Sequence, residues 1–190
     1  MLAARADDLE AWTRLQNDDW RAARPLAEKA HDVAVQVGNA DLYSGAGRTL
    51  AVIRLHRDEA AEAYEVASVA ARYGMRLYQP ELLAIAGVAA LRCGNVGDRT
   101  RLAFTGAVGL AEDLLPGAPD AGLLYEARGL AFAGLALLDG SDEGEAEAAQ
   151  AYGKAIELCG AAGARRRHEL FHALVAKRPD ALPVLRGLLG

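Results

Sequence analysis

Apolar residues recur three and four positions apart along most of the chain, as in Leu9, Trp12 and Leu15. This spacing places them on one side of an α-helix, and it predicts a series of amphipathic helices. No stretch alternates with period two for long enough to require a strand, so we expect an all-α protein. The predicted helices cover residues 3–16, 20–37, 41–56, 59–73, 80–93, 98–114, 121–138, 145–160, 164–177 and 181–188.

Polar and flexible residues divide these segments. Asp and Asn stand before several of them, where their side chains accept free backbone amides, and Gly38 allows the left-handed conformation that ends a helix. Asp41 is predicted to cap the third helix. The acidic segment 139–144 is predicted to be the longest break between helices.

A pair of alanines seven residues apart recurs along the chain. Residues at this spacing lie on one helix face two turns apart, where small side chains let a neighbouring helix approach closely. Recurrence every few tens of residues is typical of solenoids, which usually present a binding surface. The pairs are Ala23 with Ala30, Ala60 with Ala67, and Ala148 with Ala155.

Around these alanines the sequence resembles the second helix of the tetratricopeptide repeat. That family has a small residue, an aromatic residue four positions later and Ala three positions after that. It also has a Gly within the first helix of each repeat. The matching residues are Ala60, Tyr64 and Ala67; Ala148, Tyr152 and Ala155; Thr100, Phe104 and Ala107; and the glycines Gly47, Gly87 and Gly134.

The resemblance implies a right-handed α-solenoid of antiparallel helix pairs in a single domain. The repeats would cover residues 3–38, 40–74, 79–115 and 120–160, and residues 164–190 would form C-terminal capping helices. Their irregular lengths are similar to repeats in bacterial transcription regulators and signalling proteins. We therefore expect a non-catalytic protein- or peptide-binding scaffold, such as a sensory or dimerisation module of such a regulator. A homodimer stays open, and without a recognisable DNA-reading helix we do not expect direct nucleic-acid binding.

In the tetratricopeptide family, the first helix of each repeat lines the binding groove. Arg48 and Arg92 are the expected polar anchors, because a guanidinium group can bind a partner's carboxylate with two hydrogen bonds. The alternatives are that each is an ordinary surface arginine, or that the same groove senses a small ligand. The expected groove residues are Asp41, Ser44, Arg48, Val52, Val88, Leu91, Arg92, Glu126 and Leu130.

The chain is 52% hydrophobic and 25% charged with a net charge of −5, which is typical of a globular protein. Charge is unevenly distributed, and the segment after residue 160 is basic. Arg165, Arg166 and Arg167 form a compact cluster there, which would bind an anion or an acidic partner such as segment 139–147. The alternative is a solvated helix start.

The segment His168-Glu169-Leu170-Phe171-His172 has the H-E-x-x-H pattern of zinc peptidases, in which the two histidines ligate the metal and Glu169 is the general base. A third ligand at the usual spacing is missing downstream. We therefore expect neither catalysis nor a cofactor. A zinc-dependent hydrolase, or a metal held by His168 and His172, is the alternative.

Two cysteines in 190 residues do not form a disulfide framework. No apolar run reaches the length of about 18 residues that indicates a membrane span, and the start of the chain lacks the apolar core of a secretory signal. We expect a cytoplasmic protein without a membrane partner.

Overall fold

The computed structural model describes residues 1–95, 97–160 and 163–189. These residues form helices and connecting turns without strands, which confirms the predicted all-α class. Among them, no helix is both long and apolar enough to cross a membrane. The ten α-helices of the described residues are α1 (Leu2–Gln16), α2 (Trp20–Val37), α3 (Ala40–His56), α4 (Ala60–Tyr73), α5 (Gln79–Arg92), α6 (Asp98–Leu114), α7 (Gly122–Asp139), α8 (Asp142–Cys159), α9 (Ala164–Val175) and α10 (Pro183–Leu189), with 3₁₀ turns at Arg76–Tyr78 and Leu115–Gly117.

From α1 to α8, each helix packs against the next along the chain. The odd-numbered helices also contact one another, α1 with α3, α3 with α5 and α5 with α7. The even-numbered helices make at most weak contacts of this kind. The stack therefore bends toward the side formed by α1, α3, α5 and α7, which we call the inner face.

The alanine pairs predicted from the sequence are buried between the helices. Ala23, Ala30, Ala67, Ala148 and Ala155 have no exposed surface. A methyl group is the largest side chain that close helix approach tolerates, since longer ones would hold the two backbones apart. The repeated spacing therefore identifies the face by which α2, α4 and α8 pack against their neighbours.

Phe104 of α6 is inserted between α5 and α7 at two glycines. A Cβ atom at Gly87 would lie 2.5 Å from the Phe104 ring, and one at Gly134 would lie 2.3 Å from it. Both distances are below van der Waals contact, so any larger side chain at these positions would displace the ring. Glycine is required at both positions because the absence of a side chain leaves room for the Phe104 ring.

Most helix boundaries lie close to the predicted ones, but the cap of α3 and the break before α8 differ from the prediction. Gly38 has a φ of +62° at the end of α2, as predicted, but Asn39 rather than Asp41 caps α3 by accepting from the Leu42 amide at 2.9 Å. The predicted break at 139–144 is wrong, because α8 already begins at Asp142. Ser141 caps this helix, and acidic side chains in its first turn are stabilised by the helix dipole.

The two C-terminal helices lie in different places. α10 packs against α8, where the Glu145 carboxylate accepts from the Val184 and Leu185 amides at 2.7 and 3.1 Å. α9 instead packs across the inner face, against α3, α5 and α7. The segment predicted to cover the end of the stack therefore places one of its helices along the curved side.

Candidate binding groove on the inner face

α9 is held on the inner face by an apolar stripe that joins the main core. Leu170, Phe171 and Leu174 are buried, as are the smaller Ala173 and Val175. The stripe follows helical spacing, so one side of α9 faces α3, α5 and α7 while the opposite side faces solvent. The inner face is thus a groove occupied by an amphipathic helix of the same chain.

The first turn of α9 places two arginines against two buried carboxylates. Arg166 Nε lies 3.2 Å from Glu81 of α5, and its Nη2 pairs with Glu126 of α7. Arg167 Nη1 donates to Glu126 Oε1 at 2.5 Å, and Arg48 Nη1 of α3 lies 3.5 Å from Glu81. The exposed fractions are 2% for Glu81, 5% for Glu126, 7% for Arg166 and 4% for Arg167.

Aromatic rings cover this ion cluster on the side of α1. The Arg48 guanidinium lies 4.7 Å from the centre of the Trp12 ring and 5.5 Å from that of Tyr78. The Arg166 guanidinium lies 5.3 Å from the Trp12 ring. A cation over an aromatic face is attracted to it, most strongly where water is excluded, so Trp12 links the two arginines across the groove.

The cluster has three guanidinium groups for two carboxylates. Burial lowers the pKa of Arg166, an effect that the Glu81 carboxylate opposes. Arginine side chains nevertheless remain charged inside proteins. Arg167 also donates to the Gly160 carbonyl at 3.0 Å, which ties the start of α9 to the end of α8.

Polar contacts continue along the edges of α9. Arg165 pairs with Asp18 at 2.5 Å, and Glu169 lies 3.4 Å from His56 Nδ1. The His56 ring is stacked on Trp20 with a centroid separation of 3.6 Å. These contacts fix the rotation of α9 about its own axis.

The groove holds its helix by combining an apolar floor with buried acidic groups that form ion pairs with arginine. Comparisons of the chain with protein-family models, curated proteins and solved structures find no match. An isolated carboxylate is expensive to bury, so Glu81 and Glu126 favour an occupant that supplies cations.

Most of the predicted groove residues do lie beside α9. Arg48 and Glu126 belong to the ion cluster, and Arg92 Nη1 donates to the Ala173 carbonyl at 3.5 Å. Arg92 also pairs with Asp58, so both predicted anchors already have carboxylate partners in their own chain. Of the predicted apolar positions, those that line cavities against α9 or the residues after it are Val52, Leu91 and Leu130.

Two predicted groove residues have their partners elsewhere, and a third belongs to the core. Asp41 pairs with Arg5 of α1 at 2.5 Å, and Ser44 accepts from the Met75 amide at 2.7 Å. Val88 is fully buried in the main core, which also contains the buried side chains of α9. A register assigned from a central glycine does not show which positions of a helix turn toward its preceding and following neighbours.

The arginine cluster is divided between two environments. Arg165 is partly exposed, whereas Arg166 and Arg167 are buried, so a uniformly solvated helix start is wrong for the last two. The partners predicted in segment 139–147 are also wrong, since the carboxylates that bind the cluster are Asp18, Glu81, Glu126 and Glu169. Distant acidic residues reach the arginines because α9 folds back across the stack.

Sequence reasoning missed Glu81, Trp12 and Tyr78. A signal for Glu81 was present, since it is the only charged residue between Pro80 and Leu91. A lone charge in an apolar helix is unusual enough to suggest a buried partner. The sequence held no comparable signal for the aromatic pair.

The two histidines of the H-E-x-x-H segment lie together on α9, with ring centroids 4.2 Å apart. Glu169, the base in the zinc interpretation, instead contacts Arg165 and His56. No group of three or more His, Cys, Asp and Glu side chains suited to a metal ion occurs in the described part of the chain.

Proposed function

We propose that this protein is a non-catalytic helical-repeat scaffold that binds a helical segment of a partner protein on its inner face, in competition with its own α9. The observation that supports this proposal is the seating of α9, an amphipathic helix, in the groove formed by α3, α5 and α7. Helix-in-groove binding is a recurring mode of peptide recognition. The architecture we propose is the right-handed, tetratricopeptide-like solenoid, and the setting is a cytoplasmic bacterial regulator.

The partner that fits this groove carries an arginine pair at the start of an amphipathic helix. Buried Glu126 is paired with Arg166 and Arg167 of α9, and Arg166 adds a second cation to Arg48 beside Glu81. A partner helix would have to replace those guanidinium groups and bury apolar residues about one turn later, where Leu170 and Phe171 now lie. Specificity would come mainly from the rejection of helices without the cations.

Competition follows from the connection between α8 and α9. A tethered helix acts at an effective concentration in the millimolar range for a short link, so a free helix of equal intrinsic affinity binds only weakly. Weakening the tethered helix should therefore raise the apparent affinity for a free one. This is the quantity that the following experiment measures.

The test uses a fluorescent peptide with the sequence of residues 163–178 and the full-length protein, with binding followed by fluorescence anisotropy. We expect weak binding to the parent and at least about tenfold tighter binding to R166Q/R167Q, in which α9 has lost its two cations. Ten-fold corresponds to about 1.4 kcal/mol, less than a charge-assisted pair can contribute. Circular dichroism of the variant checks that it stays helical.

Two controls make the result specific. A peptide with both arginines replaced by glutamine should bind poorly to either protein, and adding E81Q/E126Q to the R166Q/R167Q variant should abolish binding of the parent peptide. Equal binding of the two peptides would contradict arginine recognition. Absence of any gain in the folded R166Q/R167Q variant would show that α9 is a permanent part of the core.

A further inference from the structure

Where the chain leaves α9, it borders a cavity of about 200 Å³. The floor is apolar and includes Leu91 of α5, Leu138 of α7 and Leu174 of α9. The rim carries three basic side chains, Arg92, Lys177 and Arg178. No acidic side chain lines this cavity among the described residues.

The three basic side chains of the rim differ in how many of their N–H donors already have a partner within the chain. Arg92 pairs with Asp58 and contacts the Ala173 carbonyl, and Arg178 Nη1 donates to the Leu137 carbonyl at 3.1 Å. Lys177 makes no hydrogen bond or ion pair with any residue that the structure describes. Its ammonium group is therefore available to an anion at the mouth of the cavity.

We propose that this cavity binds a small amphipathic anion, a monocarboxylate with a short hydrocarbon tail. The tail would lie on the leucine floor, and the carboxylate would accept a hydrogen bond from Lys177. The positive charges of Arg92 and Arg178 would add to the attraction for the carboxylate. The cavity is smaller than the roughly 300–1,000 Å³ of sites for drug-sized ligands, so the tail must be short. A multiply charged phosphate fits less well, because the apolar floor would remain empty.

This inference goes beyond the helix-binding proposal and does not depend on it. Binding at this cavity requires no displacement of α9. Because the ligand would touch α5, α7 and the end of α9 together, it stabilises the state in which α9 is docked. By linkage, a ligand present at 100 times its dissociation constant adds about 2.7 kcal/mol to that state.

The experiment is a titration of the full-length protein with octanoate, monitored by isothermal calorimetry and by a two-dimensional NMR spectrum. We expect saturable binding of one octanoate, with shifted resonances of leucine methyl groups. Lys177→Glu should weaken binding at least tenfold, since it replaces the free cation with a repelling charge. Lys154→Glu is the matched control, because Lys154 lies on α8 and pairs with Glu157, and it should bind octanoate as the parent does.

Octylamine serves as a second probe with the same tail and the opposite charge, and we expect it not to bind. Equal affinity for octanoate and octylamine would overturn the proposal, as would octanoate binding that Lys177→Glu leaves unchanged. Failure of octanoate to bind the parent would also overturn it. None of these three results bears on the peptide competition, which is measured without any small ligand.

Discussion

Glu81 and Glu126 are the acidic side chains around which α9 is seated. Each is almost completely buried, and each is neutralised by arginines from other helices. A buried ion pair adds little net stability compared with an apolar pair, but removing one member leaves the other charged and without compensation. At the residue scale these carboxylates therefore determine what can occupy the groove more than how stable the fold is.

Substituting one of these carboxylates should be far more disruptive than substituting one at the surface. We expect Glu126→Gln to lower the free energy of unfolding by about 3 kcal/mol, because Arg166 and Arg167 lose their shared counter-charge. Urea denaturation followed by circular dichroism measures the change. Glu147→Gln is the control, since Glu147 pairs with Arg128 at 3.1 Å in a more exposed setting and should cost less than about 1 kcal/mol. Similar losses in the two variants would contradict a buried, uncompensated charge.

At the scale of elements, adjacent helices are joined through side chains that enter the space left by glycine. Phe104 of α6 uses Gly87 of α5 and Gly134 of α7 in this way, which holds three helices at one point. The contact links helices that are neighbours along the stack. Helix spacing here depends on residues that carry no side chain at all.

Adding one methyl group at this point should therefore destabilise the stack. We expect Gly134→Ala to lower the free energy of unfolding by about 1–3 kcal/mol, since a buried aromatic ring must move to admit the new Cβ atom. Gly109→Ala on α6 is the matched control. A Cβ atom there meets nothing within 4 Å, so it should stabilise the protein by up to about 1 kcal/mol through helix propensity. Thermal melts of both variants distinguish the outcomes, and a stabilised Gly134→Ala protein would show that the ring is free to shift.

The arrangement of the elements also shows which parts of the structure could be predicted from the sequence alone. Helix positions were predictable because period, caps and glycine stops are local signals, and the small-residue pattern identified the packing faces. The location of α9 was not predictable from the sequence. Its amphipathic pattern specifies only that one face is buried and does not identify the surface that buries it. The pairing of Arg166 with Glu81 joins residues 85 positions apart, and no local rule connects them.

At the scale of the whole molecule, α9 belongs both to the main core and to the groove. Its buried residues are continuous with the core that α3, α5 and α7 share. The stack of α1 to α8 alone would expose this apolar surface and would leave the Glu126 carboxylate without its arginines. A helix in this position completes the core and covers the apolar floor of the groove at the same time.

Ending the chain at residue 160 should therefore produce a less stable protein that self-associates. We expect a lower melting temperature and a molecular mass above that of a monomer in light scattering after gel filtration, because a large exposed apolar patch promotes association. Adding the peptide of residues 163–178 should shift both measurements back toward those of the full chain. A truncated protein that stays monomeric with an unchanged melting temperature would show that α9 contributes little to the inner face.

Under the proposed function, the seating of α9 in the groove also has a consequence for the time course of partner binding. A partner helix cannot enter while α9 occupies its place, so entry must wait for α9 to leave. The observed association rate should then rise with partner concentration only until it reaches the rate at which α9 opens, and stay level beyond it. The speed of the response would be set within this chain, by the lifetime of the contacts among Arg166, Arg167 and their two carboxylates, whichever partner arrives.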